Sequence, residues 1–294
     1  MRNSMNKKTI AFFLILMFTA LACGGTAPLT DQSTIETVVA ATLQAVTEQA
    51  ANNPTPTSQA VTSGSLVYFQ NVSFVIPEGL AIATSNEIVP AVDEATGGPW
   101  GIAPEYIEFV LVDYSPRDDF FPPVIRIYPA QEYAALNPWA QSSLGKLQAI
   151  LASPSMPLIN DNLSTIPFNG AAAQQYAAQA KLIAFQSGNG VGMLSQYAQF
   201  PGPILKENSY YHYEGLTSDG KYMVAIMLPV TLPLQATAEN PSADGIIYPN
   251  DISDVNALNA YFQGVTDLLN AASPDSFQPN LTQIEALIQS IHIQ

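Results

Sequence analysis

Apolar and polar positions alternate at the start of the globular part of the chain. Ser73-Phe74-Val75-Ile76-Pro77 alternates and stops at a Pro-Glu-Gly turn, which predicts a strand. Tyr106 to Val112 predicts a second strand, and Val124 to Tyr128 a third, ended by Pro129. Two helical stretches follow, at about 130–136 and 138–152. Asn137-Pro138 separates them, and Pro154 with Pro157 closes the second. Lys181 to Gln186 and Val191 to Phe200 flank Ser187-Gly188-Asn189-Gly190, read as a hairpin turn whose glycines permit positive φ. Tyr210 to Leu216 and Lys221 to Leu228 flank Thr217-Ser218-Asp219-Gly220, a second such hairpin. These four strands form an antiparallel meander, ended by Pro229 and Pro233.

The C-terminal part is helical. Asn250 or Asp251 caps a helix running to about Ala271, with Val255, Leu258, Tyr261, Phe262, Val265, Leu268 and Leu269 at helical spacing. Pro279-Asn280 opens a last helix with Leu281, Ile284, Leu287, Ile288 and Ile291 on one side. Locally paired strands and segregated helices define an α+β class, an antiparallel β-sheet meander packed against helices.

Ahead of this domain the pattern changes. Arg2, Lys7 and Lys8 precede an uncharged apolar run from Ile10 to Leu21, which ends at Ala20-Leu21-Ala22-Cys23-Gly24. Basic, apolar and small residues in that order read as an export signal. The apolar core is too short to span a bilayer, which takes ~20 residues. Ala20-Leu21-Ala22-Cys23 resembles a bacterial lipobox, with Ala20 where the pattern usually has Leu. The resemblance implies that Cys23 receives a diacylglycerol on sulfur and becomes the first residue after cleavage. The same residues fit an A-x-A site for ordinary signal peptidase, which would release the chain. Cys23 is the single cysteine of 294 residues, which favours lipidation and leaves the domain without an intramolecular disulfide. Two or three acyl chains make a stable anchor.

Residues 33–49 repeat Ile35, Val38, Val39, Thr42, Leu43 and Val46 at helical spacing, with Ser33 and Glu36 as a capping box. Asn52-Asn53-Pro54-Thr55-Pro56-Thr57 favours extended polyproline structure. The chain therefore divides into a signal peptide over 1–22, a lipidated stalk and Pro/Thr linker over 23–64, and one globular domain over 65–294. Stalk and linker together hold the domain roughly 40–60 Å from the membrane.

Composition narrows the partners. Without the signal, 6 Lys+Arg face 24 Asp+Glu, a formal charge of −18. Phosphate-rich nucleic acid is repelled by such a surface, as are anionic lipids. With 48% hydrophobic and only 11% charged residues, a packed core is expected.

Candidate chemistry is sparse. The chain has two histidines. His292 lies near the C-terminal end. His212 lies in Tyr210-Tyr211-His212-Tyr213-Glu214, where alternation puts Tyr210, His212 and Glu214 on one face of a strand. Two readings stand: a general base oriented by an acid, or a solvent-side cluster that blunts the sheet face. No partner nucleophile, G-x-S-x-G elbow or Walker loop is present, and Gly188-Asn189-Gly190-Val191-Gly192 precedes a strand rather than a phosphate-binding helix. Oxygen-rich clusters at Asp113 with Asp118 and Asp119, at Asn160-Asp161-Asn162, and at Asn250-Asp251 with Asp254 lack EF-hand spacing and double as turn or cap chemistry. No cofactor, metal or catalytic residue is assigned. Phe120 and Phe121, before Pro122-Pro123, join Tyr210, His212 and Glu214 as candidate ligand contacts.

The strand from Val72 to Gly79 and the closing helix through Leu287-Ile288-Gln289-Ser290-Ile291 resemble exported Mog1/PsbP-like domains. The two hairpins resemble a module of bacterial lipoproteins. Such resemblances imply binding or scaffolding and carry no catalytic residues. The expectation is a lipid-anchored extracytoplasmic module that binds an envelope protein, glycan or small ligand. The second reading is a secreted hydrolase of polysaccharide or peptide.

Overall fold

The computed structural model describes residues 64–117, 121–169, 172–242 and 244–294. The signal peptide, Cys23, the stalk and linker through residue 63, Asp118, Asp119 and Phe120 lie outside the described residues.

In chain order, β1 (Gly64–Phe69) and β2 (Val72–Pro77) pair antiparallel, and β12 (His292–Ile293) joins β2 from the far end of the chain. The main sheet has seven antiparallel strands. Its spatial order is β3 (Ala83–Val89), β4 (Tyr106–Val112), β5 (Val124–Pro129), β11 (Tyr222–Val230), β10 (Ser209–Thr217), β8 (Gly188–Ser195) and β7 (Ala178–Phe185). β6 (Ala173–Gln174) and β9 (Tyr197–Ala198) form a two-residue ladder beside it. The helices are α1 (Glu94–Gly101), α2 (Ala130–Leu136), α3 (Pro138–Ala152), α4 (Val255–Ala271) and α5 (Leu281–Ser290). The class is α+β, and the expected meander is present as β7-β8-β10-β11. Among the described residues no helix is long and apolar enough to cross a membrane.

Helices cover both faces of the main sheet. On the first face, Tyr211, Tyr213, Ile226 and Leu228 pack in one core with Tyr261, Val265 and Leu269 of α4 and Ile284, Leu287 and Ile288 of α5. Each fully buried Leu or Ile contributes roughly 1.5–3 kcal/mol. On the second face, α2 and α3 cover Tyr128, Met223 and Ala225 with Tyr133, Ala140 and Leu144, and Leu147 and Ile150 reach Val191 and Met193. Burial from both sides explains why β11, Tyr-Met-Val-Ala-Ile-Met-Leu-Pro-Val, is apolar at consecutive positions.

Local chemistry sets the element ends. Asn137 caps α3: its Oδ1 accepts from Trp139 N at 2.9 Å and Ala140 N at 3.1 Å, with Pro138 in the first turn. Its Nδ2 donates to Ile102 O at 2.9 Å, tying the start of α3 to the segment after α1. α4 begins later than expected. Asp251 forms a turn with Ser253, and Asp254 Oδ1 accepts from Ala257 N at 3.0 Å as the cap. Gln179 holds the other end of α4: its Nε2 donates to Leu269 O at 2.8 Å and Ala272 O at 3.0 Å. These bonds offset the unusual φ of 53° at this non-glycine residue.

The expected turn at Ser187-Gly188-Asn189-Gly190 requires correction. β8 already begins at Gly188, and Gly188 and Gly190 are not among the positive-φ glycines. These glycines make room instead. A Cβ on Gly190 would lie 2.5 Å from the Tyr213 hydroxyl, and one on Gly192 would lie 2.6 Å from that of Tyr211. The Thr217–Gly220 turn does use positive φ, 72° at Gly220.

Candidate functional site

The second sheet face carries a buried polar network. Strand alternation points Tyr210, His212 and Glu214 toward α3. In register, His212 lies between Met193 and Met227, and Glu214 between Val191 and Ala225. His212 and Glu214 are 0% exposed. The reading of a solvent-side cluster is therefore corrected: α3 and the segment that follows it cover this face. Ser143 is a polar member of the buried stripe Ala140, Ser143, Leu144, Leu147 and Ile150 on α3. Its Oγ donates to Glu214 Oε2.

Hydrogen-bond accounting assigns the protons. Tyr197 OH donates to the Gln174 carbonyl Oε1 at 2.9 Å. A hydroxyl has one proton, so its 2.7 Å contact with His212 Nδ1 requires Nδ1–H as the donor. His212 Nε2 then lies 3.3 Å from Glu214 Oε1, and neither atom has an aligned hydrogen-bond partner. One proton on either atom makes this contact attractive; without it, an imidazole lone pair faces a carboxylate oxygen. Burial pushes the Tyr197 phenol well above its ordinary value, and the Glu214 charge adds to the rise.

The network does not form a nucleophile–base pair. Ser143 bonds the carboxylate rather than the imidazole, and Ser143, His212 and Glu214 are all closed to solvent. Tyr210 is also buried, with the Phe121 ring edge-on at 5.6 Å. Of the candidate ligand contacts, the structure thus brings Tyr210 and Phe121 together, and His212 and Glu214 together, all within or against packed interior. Contact with a ligand in solution would require that face to open.

The acidic clusters separate. Asp113 pairs with Arg117 at 3.3 Å, Asp254 caps α4, and Asp161 lines a cleft. Among the described residues no group of three His, Cys, Asp or Glu side chains is placed to hold a metal ion.

Two open clefts meet at one loop, and the second shares Gln174 with the network. The first, about 500 Å³, runs between α4 and the segments 158–161 and 175–177. α4 contributes Asn259, Phe262, Gln263, Thr266 and Asn270, which recur at helical spacing beside its buried stripe. The second, about 550 Å³, includes Trp139, Lys146, Thr165 and Gln174. Asn160 and Asp161 line both. Asn160 is fixed by a reciprocal amide pair: Gln174 Nε2 donates to its Oδ1 at 2.9 Å, and its Nδ2 donates to Gln174 O at 3.3 Å. Lys146 Nζ donates to the carbonyls of Asp161 and Leu163, both at 3.1 Å, which holds the loop against α3. Trp139 meets Trp100, 43% exposed, edge-on at 5.7 Å. The sequence reading missed the α4 polar face. Its signal was the recurrence of Asn, Gln and Thr at positions 259, 263, 266 and 270.

No protein-family model, curated protein or solved structure matches this chain.

Proposed function

We propose that the chain is a lipid-anchored extracytoplasmic lipoprotein, held to the membrane through Cys23, whose domain is a non-enzymatic binding module of the cell envelope. One observation carries the binding assignment. The one histidine–carboxylate pair among the described residues, His212 with Glu214, is sealed inside the domain, while the open clefts carry mainly amides, hydroxyls and aromatic rings, with Asp161 and Lys146 as their charged groups. Such a lining orients a ligand and supplies little else. The anchor rests on the lipobox-like Ala20-Leu21-Ala22-Cys23, and the linker extends the reach of the module beyond the lipid headgroups. The alternative, a secreted hydrolase, draws on Ser143, Glu214 and His212, but their burial and order of bonding give it less support.

Thermal unfolding of the intact chain against calcium, neutral oligosaccharides, oligopeptides and lipid vesicles tests the assignment. A ligand of the native state is expected to raise the midpoint, by ~2.7 kcal/mol of stability at a hundredfold excess over its Kd. A flat response to every class would contradict a binding role toward these partners.

A further inference from the structure

Resting on the binding-module reading, we propose that the two clefts joined at Asn160 and Asp161 form one groove for an uncharged polyhydroxylated ligand, a neutral glycan several sugar units long.

The lining chemistry selects the class. A sugar hydroxyl both donates and accepts, and a carboxamide offers two donors and one acceptor from a single planar group. The α4 wall presents the Thr266 hydroxyl and three carboxamides: Asn259, Gln263, whose Nε2 also donates to Asp267 Oδ1 at 2.8 Å, and Asn270, whose Oδ1 also accepts from Gln179 N at 2.7 Å. Asn259, Gln263 and Asn270 are solvent-exposed. They sit on a helix, which positions them more rigidly than a loop would. Asn160 enters the groove already oriented by its amide pair with Gln174. Phe262 on the first side and Trp139 on the second are half-buried, so each offers part of a ring to the apolar C–H face of a sugar.

Charge excludes the nearest competitors. The first cleft has one charged residue, Asp161, and no base, so it lacks an anchor for carboxylate, sulfate or phosphate. In the second, the Lys146 ammonium already donates to two backbone carbonyls. The mature chain's charge of −18 opposes anionic ligands further. Each cleft falls in the ~300–1,000 Å³ range of ligand sites, and their junction at one loop implies an extended ligand.

The test uses the intact chain and its two tryptophans, Trp100 and Trp139, as the reporter. Fluorescence and calorimetric titrations would use hexamers and dimers of glucose and N-acetylglucosamine, a galacturonate hexamer as the charged counterpart, and an oligoalanine peptide. At least one neutral hexamer is expected to bind, at least tenfold more tightly than its dimer, with no binding of the galacturonate hexamer. The Asn259→Ala/Gln263→Ala variant is expected to weaken that binding at least tenfold while its ligand-free melting midpoint stays at the wild-type value. Alanine favours an exposed helix position, so the fold is not at risk. Neutral binding untouched by the variant would overturn the groove as the site. Binding of the peptide alone, lost in the variant, would overturn the glycan class and leave the binding-module reading intact. No binding of any probe, alongside a flat melting response to calcium and vesicles, would overturn both.

Discussion

Replacing Glu214 with alanine is expected to destabilise the domain by about 3–5 kcal/mol, the usual cost of removing one member of a buried charged or proton-sharing pair. The substitution strands two groups. Ser143 loses the acceptor for its hydroxyl, and His212 Nε2 loses Glu214 Oε1 at 3.3 Å. Both are fully inside, so water does not replace what is lost. Domain stabilities are typically ~5–15 kcal/mol, so the loss is a large fraction of the total. His212→Ala is expected to fall in the same range, because Tyr197 and Glu214 are then left facing a cavity. The Glu214→Leu/His212→Phe pair is expected to cost less than the sum of Glu214→Ala and His212→Ala, because apolar side chains of similar size fill the space and remove the charged pair together, leaving only the Ser143 and Tyr197 hydroxyls short of a partner. Urea unfolding of the single and double variants measures all three. A Glu214→Ala midpoint equal to wild type would contradict a buried network.

The second large effect is alkaline unfolding. The chain has 13 tyrosines. Nine of them, Tyr106, Tyr114, Tyr128, Tyr133, Tyr176, Tyr197, Tyr211, Tyr213 and Tyr261, have phenols pushed above the ordinary value of 10.0, in every case first by burial. Burial disfavours the charged phenolate. Between pH 10 and the raised folded values, the unfolded chain releases these protons and the native domain retains them. The stabilisation is thus complete below pH 10 and is lost as pH rises above it, by roughly a kcal/mol or more per tyrosine per pH unit. Several hydroxyls are also committed to bonds, such as Tyr213 OH to Ile183 O at 3.0 Å and Tyr114 OH to Pro229 O at 2.8 Å. Tyrosinate absorbance and far-ultraviolet circular dichroism against pH should show these nine phenols ionising above pH 10 in a steep step that coincides with loss of secondary structure. A single smooth titration of all the tyrosines with the fold intact would contradict their burial.

Where punctuation residues act locally, the sequence reads correctly. Asn137-Pro138 and Pro279-Asn280 set the starts of α3 and α5, because a side-chain cap and a fixed φ need only the next few residues. Alternation likewise puts His212 and Glu214 on one face. What occupies the far side of a face is a tertiary fact, and the assignment to solvent failed there. A hint was present in β11, whose apolar residues do not alternate. The glycines of β8 show a second limit. A turn glycine and a glycine flattened beneath a tyrosine look alike until the partner strand is known, and here Tyr211 and Tyr213 of β10 decide the matter. β3, Ala-Thr-Ser-Asn-Glu-Ile-Val at the sheet edge, gives no strand signal because four of its seven residues are polar. The two clefts are legible only in part. The α4 stripe has helical spacing, but Asn160 and Gln174 come near it only through packing of distant segments.

Membrane attachment of the proposed binding module rests on lipidation of Cys23, and mass analysis of the N-terminal peptide tests that proposal most directly. The chain would be expressed in a bacterium fed isotope-labelled palmitate, alongside Cys23→Ala. The expected result is a peptide beginning at Cys23 that carries the label and a diacylglycerol, and an unlabelled variant. An N-terminal Cys23 without lipid, on a protein recovered in the soluble fraction, would contradict the anchor and leave a freely secreted protein.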